Sequence, residues 1–339
     1  MMKITDFGKY ISDFLGKYLP AVRGMSTNSI KAYRDTFTLL LRYCGEVCHI
    51  DRTKIEMSVL TRDLIEGFLN WLEQSRDVSV RTRNARLAAL RSFFSYVLDR
   101  DPALMFLSQS ILSIPLKKAP KKTIAYLSSE AMRLLLEQPD QNTRSGRRDL
   151  SLLALMYDTG ARVQEIADLK VGDVRRTKPH TITITGKGSK TRVVPMSDHQ
   201  MKHLLKYMDD FKLNDDNKAE YHLFCNRQGE KLTRAGIAFI LKKYIEKARM
   251  IDKAIIPDGI SCHSLRHSKA MHLLQADVPL IYIRDLLGHE SVTTTEIYAR
   301  IDSKKKREVL EKAYKPITPD TSEPSWLEDG DLLEWLKSL

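Results

Sequence analysis

Residues 260–301 read ISCHSLRHSKAMHLLQADVPLIYIRDLLGHESVTTTEIYARI, and the rest of the chain is read outward from them. They hold His263, Arg266, His289 and Tyr298, a set of donors and one nucleophile suited to a phosphodiester. His263 and Arg266 are three apart, so on a helix they point to one side and can both reach a single anion. Leu265, Ala270, Met271, Leu273 and Leu274 continue a mostly apolar helix, which Asp277-Val278-Pro279 should end because the residue before a proline resists the helical region. A second helix over 280–287 should stop at Gly288, leaving His289 in a turn. Thr293 with Glu296 reads as a capping box for a third helix that carries Tyr298 in its first two turns. On one straight helix, nine residues at about 100° each would put His289 and Tyr298 on opposite faces. The break at Gly288 removes that objection.

Two upstream segments extend the pattern. In TGARVQEI, residues 159–166, Arg162 lies at the mouth of a helix and Glu165, one turn on, can hold its guanidinium in register. Taken alone, that pair would be a surface ion pair worth little. In TITITGKGSKTRVVP, residues 181–195, alternation gives two strands around a Gly-Lys-Gly-Ser turn. GKGSK is not a Walker A loop, which needs four residues between its glycines and a helix after the lysine.

His263-x-x-Arg266-His267, then Leu286-Leu287-Gly288-His289, then Tyr298, preceded by the Arg162 segment and the glycine-flanked Lys187, resemble the signature of tyrosine recombinases of the lambda-integrase and Xer class. The resemblance covers most of the chain. It implies a mainly α fold of two domains, a SAM-like N-terminal helical bundle and a mostly helical catalytic domain with a small antiparallel β-sheet. The expected divisions are 1–113 for the core DNA-binding domain, 114–123 for a basic linker, 124–315 for the catalytic domain and 316–339 for a C-terminal tail.

The resemblance also implies the catalytic set Arg162, Lys187, His263, Arg266, His289 and Tyr298. Arg162 and Arg266 would grip the two non-bridging phosphate oxygens and His289 would add a hydrogen bond. A tyrosine hydroxyl, with an ordinary pKa near 10, is a weak nucleophile until a cationic field favours the phenolate. His263 would serve as acid or base for the tyrosine proton, and Lys187, rather than its neighbour Lys190, as acid for the departing 5′ oxygen. The implied intermediate is a 3′-phosphotyrosyl linkage formed without metal, ATP or other cofactor. His267 and His272 are read as structural or peripheral.

The remaining chain suits a polyanion binder. Its 339 residues are long enough for two domains, and 55 Lys and Arg against 43 Asp and Glu give a net +12. Four scattered cysteines suit a reducing cytoplasm, and neither a signal peptide nor a membrane span is legible. In the N-terminal part, Ser26, Thr61 and Ser79 are expected helix caps. The third of these helices carries Arg81, Arg83 and Arg86, which are expected to contact DNA. IPLKKAPKKT, residues 114–123, has the composition of an extended linker whose Lys117, Lys118, Lys121 and Lys122 can follow a phosphate backbone. Residues 207–220 are expected to be loop, and Thr233 and Arg234 open a basic helix as phosphate-positioning residues.

The acidic and apolar tail after Lys315 should not bind DNA. Its Trp326, Leu332, Leu333, Trp335 and Leu336 need a partner surface, expected on a neighbouring protomer in a tetramer assembled on double-stranded DNA at specific recombination sites. Accessory directionality proteins are possible partners. Two other readings share much of this evidence. A type IB topoisomerase would use the same chemistry as a monomer, and a DNA-binding regulator would keep the fold without the chemistry. The tail speaks against the first and the complete residue set against the second.

Overall fold

A computed structural model describes residues 5–120, 124–289, 291, 294–296, 298 and 336–337, with Lys187 and Asp216 described in their backbone alone. The chain divides into two compact units, residues 1–122 and 123–339.

The first unit is helical. Its helices are α1 (Asp6–Asp13), α2 (Thr27–Glu46), α3 (Arg62–Arg76), α4 (Val80–Leu98) and α5 (Met105–Leu112), with wider π turns over Phe14–Val22. Ser26, Thr61 and Ser79 cap α2, α3 and α4, each side-chain oxygen accepting from a backbone N–H three residues on. Their apolar faces close over Phe14, Phe37, Leu40, Phe68, Leu90 and Phe93, all nearly or fully buried. Each such side chain contributes roughly 1.5–3 kcal/mol on burial.

The arginines of α4 depart from the expectation of a phosphate-facing row. Arg83 is 4% exposed and donates to the Pro115 carbonyl at 3.3 Å and to Asn84 Oδ1 at 3.2 Å. Arg91 donates to the Ile114 carbonyl, and Asn84 Nδ2 donates to the Lys117 carbonyl at 2.7 Å. Arg86 is occupied by the Ala32 carbonyl at 2.9 Å and Thr36 Oγ1 at 3.0 Å. Only Arg81 of the three expected contacts is fully in solvent. The physical reason is backbone satisfaction: residues 114–117 lie along α4 without a ladder, and their carbonyls find guanidinium and amide donors instead of water. Thus the first part of the expected linker is pinned. Lys118 is exposed, whereas Lys121 and Lys122 lie outside the described residues.

The second unit contains α6 (Ser129–Leu136), α7 (Arg144–Thr159), α8 (Val163–Asp168), β1 (Val174–Arg175), β2 (Thr181–Thr185), β3 (Thr191–Pro195), α9 (Asp198–Asp210), α10 (Arg234–Ile251), α11 (Cys262–Gln275) and α12 (Leu280–Leu287). The sheet is antiparallel in the order β1-β2-β3, and Thr185 faces Thr191 at the closed end of its hairpin. Ile182, Ile184 and Val194 bury one face of that sheet against the helical core. Expected loop 207–220 is helical as far as Asp210, because Tyr207 and Met208 extend the buried stripe of Met201 and Leu204. Tyr207 also donates to the Leu223 carbonyl at 2.7 Å. Among the described residues no helix is long and apolar enough to cross a membrane. Apart from Leu336 and Lys337, which are helical, the tail whose docking was expected lies outside the described residues.

Candidate active site

Helix α7 ends at Gly160, whose φ of +57° reverses the chain so that Arg162 becomes the N-cap of α8. A side chain at Gly160 would meet Leu287 Cδ2 at 2.6 Å, so α12 packs directly against this turn. Glu165 closes a box on Arg162: Arg162 N donates to Oε2 at 2.9 Å and Arg162 Nη1 to Oε1 at 2.8 Å. The carboxylate is only 4% exposed and is shared with Arg192 of β3, whose Nη2 donates at 2.8 Å. Burial alone would push the Glu165 carboxyl up, but the bonds from Arg192 and Arg162 outweigh it and hold the group below its ordinary range. This is therefore a buried shared anion rather than a surface ion pair.

Arg192 does a second job. Its Nε donates to the Leu286 carbonyl at 2.8 Å, tying the hairpin to the C-terminal end of α12. Gly288, with φ +63°, then turns the chain so that His289 follows immediately. His289 Nδ1 pairs with Thr295 Oγ1 at 2.9 Å. A cleft of about 620 Å³ brings together Arg162, Arg192, His289 and the hairpin-tip residues Gly186, Gly188 and Lys190. Lys187 occupies that tip in the backbone, between Gly186 and Gly188.

Arg266 comes from the buried face of α11 and is 4% exposed. Its Nη1 donates to the Gly160 carbonyl at 2.7 Å, while its Nη2 is buried with no hydrogen-bond partner among the described residues. Burial first and the neighbouring Arg162 charge second bring its pKa down to about 10, which still leaves it cationic at neutral pH. His263, one turn earlier, is exposed and lines a second cleft with Thr233 and Arg234. Thr233 caps α10, its Oγ1 accepting from Gly236 N at 3.0 Å, and Arg234 is exposed beside it. Burial, then the charges of Arg266, Arg162 and Arg234, push the His263 pKa down.

Tyr298 is 1% exposed, and its hydroxyl lies 2.9 Å from His267 Nδ1. Burial raises the phenol pKa and outweighs the opposing charge of Arg266, where the sequence suggested a cationic field favouring the phenolate. His267, read from the sequence as structural or peripheral, thus meets the hydroxyl of the expected nucleophile. The signal was present in its i,i+4 spacing from His263, which puts both imidazoles on one side of α11 with ring centroids 6.4 Å apart. His272 is away from this group, paired with Tyr157 OH at 2.7 Å.

The sequence model of the Phage integrase family matches residues 125–305, and that of the Phage integrase N-terminal SAM-like domain matches residues 11–101. The chain is 33% identical to the tyrosine recombinase XerD of Listeria monocytogenes over 317 residues, spanning 91% of this chain and 98% of that protein. It is 30% identical to the tyrosine recombinase XerC of Thermodesulfovibrio yellowstonii over 316 residues, spanning 92% and 98%. A XerH site-specific recombinase bound to difH substrate superposes with a TM-score of 0.63 at 26% identity, covering 88% of this chain and 83% of that one. The Tn1549 transposon integrase in complex with transposon right end DNA shares the fold, with a TM-score of 0.70 at 13% identity over 89% of this chain and 98% of that one.

Fold and relatives together define the class, a site-specific recombinase of the tyrosine type that cleaves and rejoins DNA strands. The chain belongs to the phage integrase family, as its sequence signature implied, and the topoisomerase and non-catalytic readings are not favoured.

Proposed function

We propose that this recombinase cuts DNA with Tyr298 as nucleophile, at a phosphate held by Arg162, Arg266 and His289. The observation that carries this reading is the buried Nη2 of Arg266, which has no hydrogen-bond partner among the described residues. A buried guanidinium N–H without a partner costs about 1–3 kcal/mol or more, and an anion arriving beside it would relieve that cost. Arg162 is already oriented by Glu165, so two planar forks can take the non-bridging oxygens as charge develops on them. Lys187 at the hairpin tip is assigned the protonation of the departing 5′ oxygen. The bond energy is kept in a 3′-phosphotyrosyl linkage, so rejoining needs no ATP.

Residues 1–113 are assigned to DNA binding and 124–315 to catalysis, with Arg81, Lys118, Thr233 and Arg234 as exposed candidates for phosphate contact. The partner is double-stranded DNA carrying specific sites, engaged by a tetramer in the cytoplasm on the nucleoid, with residues 316–339 docking between protomers. Single-turnover cleavage of nicked duplexes bearing candidate sites, run in chelator, tests the phosphate grip. Arg162→Ala and Arg266→Ala should each slow cleavage by roughly 100- to 1000-fold. Undiminished cleavage by Arg266→Ala would contradict the reading.

A further inference from the structure

The phenol of Tyr298 has one polar partner among the described residues, the Nδ1 of His267 at 2.9 Å. With the tyrosine 1% exposed, bulk water is not at hand to carry its proton away. His263, an exposed residue, stands one turn back along α11, 6.4 Å from the His267 ring between centroids. The tyrosine ring lies 5.7 Å from His267 on the same measure. His267 also follows directly on Arg266, whose own Nη1 is anchored on the Gly160 carbonyl. One turn of α11 thus carries the imidazole and the guanidinium nitrogen that has no partner among the described residues, and the nucleophile reaches the imidazole from the segment after α12, an arrangement in which a base and an electrophilic donor can act on the same bond change.

We propose that His267 is a further catalytic residue of this recombinase, its Nδ1, in place of the His263 imidazole that the resemblance implies, accepting the proton of Tyr298 as the phenolic oxygen attacks the phosphorus. The proposal rests on the reading of Tyr298 as the nucleophile. In the step, the Oη–H bond breaks and Nδ1–H forms, while Oη–P forms and P–O5′ breaks. The leaving 5′ oxygen takes its proton from Lys187. In rejoining, the 5′ oxygen attacks and returns its proton to Lys187, and the imidazolium returns its own to the phenol.

The electrostatics agree with this assignment. Burial raises the phenol pKa, and an arriving phosphate anion would raise it further, so the nucleophile enters the reaction protonated. The groups facing His267 are His263 and Arg266 from its own helix, His289 from the turn after α12, and Tyr298. Burial, followed by His263 and Arg266, brings its pKa down to about 4, so the imidazole is neutral, and in the tautomer protonated at Nε2 its Nδ1 lone pair can accept. Phosphate charge gathering nearby in the transition state would strengthen it as a base.

The test is single-turnover formation of the covalent adduct by His267→Phe and His267→Asn, alongside wild type and Tyr298→Phe, on a nicked duplex with the scissile site. A second substrate carries sulfur at the bridging 5′ position, which makes the leaving group independent of Lys187. Both His267 variants should bind DNA as wild type does and form adduct about 100- to 10,000-fold more slowly near neutral pH. The sulfur substrate should not repair the defect, and raising the pH toward 10 should narrow it as the phenolate fraction grows with each unit of pH. His267→Asn keeps a hydrogen-bond acceptor without basicity, so it reports on the proton even where His267→Phe fails to fold. Wild-type or faster adduct formation by His267→Asn would overturn the proposal and leave the contact as a resting place for the phenol. Adduct formation by Tyr298→Phe would instead overturn the nucleophile reading itself.

Discussion

Arg192 on β3 and Glu165 on α8 meet at 2.8 Å through a carboxylate that is 4% exposed, and the same carboxylate holds Arg162 at 2.8 Å. One buried anion therefore sets the position of two guanidinium groups that face one cleft. Removing it as Glu165→Ala leaves Arg192, 13% exposed, without its anion, and breaking a buried pair in this way costs about 3–5 kcal/mol, whereas Arg162, 38% exposed, loses its orientation more than stability. Denaturant unfolding should show a loss of that size, with cleavage at saturating DNA reduced more than binding. An unfolding midpoint equal to wild type would mean that the shared carboxylate does not support the site.

Gly160 carries a second expectation. Its φ of +57°, and the 2.6 Å approach its Cβ would make to Leu287, put Gly160→Ala under both backbone strain and overpacking, roughly 2–4 kcal/mol together. Its carbonyl anchors Arg266 Nη1, so the variant should lose cleavage beyond what its remaining folded fraction explains. Single-turnover rates on fully folded protein at low temperature, compared with thermal melts, separate the two effects.

Two half-buried histidines, His267 and His289, make stability depend on pH in a stated direction. Burial, with the nearby positive groups, holds His267 and His289 each at about 4, below the ordinary histidine value of about 6.5 that applies to the unfolded chain. Between those values the unfolded chain binds more protons than the folded one. Their contribution is therefore complete above about pH 6.5, falls as the pH drops toward 4, and changes no further below that. Thermal midpoints of His289→Gln and of wild type should converge as the pH falls across this window. Parallel curves would contradict the assigned direction.

On α4, neighbouring arginines should behave differently. Arg81 is exposed, and Arg81→Ala should weaken DNA binding across sequences and lower the slope of log K against log salt by about 1. Arg83 is buried against the Pro115 carbonyl, and Arg83→Ala should destabilise the N-terminal unit by about 1–3 kcal/mol while leaving that slope unchanged. Salt titrations of binding, paired with unfolding curves, check both.

The contrast between these arginines also marks what the sequence could tell. Caps such as Ser26 and Ser79, the helix stop at Gly288, and the hairpin around Gly186 are local signals, legible because a few adjacent residues satisfy one another. The six-residue set is ordered along the chain and carried the family with it. Not legible were contacts whose partners are distant in sequence: Arg192 with Leu286, 94 residues apart, or His267 with Tyr298, 31 apart. The direction of the Tyr298 pKa belongs with these, since it depends on burial depth, which only tertiary packing decides. So does Arg83, whose helical position fits a groove-facing row until the backbone at Pro115 is seen to need a donor.

The central claim, that Tyr298 forms the covalent bond to DNA, is tested most directly by trapping and mapping that bond. Wild type and Tyr298→Phe are incubated with nicked duplexes carrying candidate sites, denatured and digested, and the nucleotide-bearing peptide is identified by mass. The expected result is an adduct in wild type alone, with the added mass on the peptide containing Tyr298. An adduct that persists in Tyr298→Phe, or that maps to a different residue, would contradict the account.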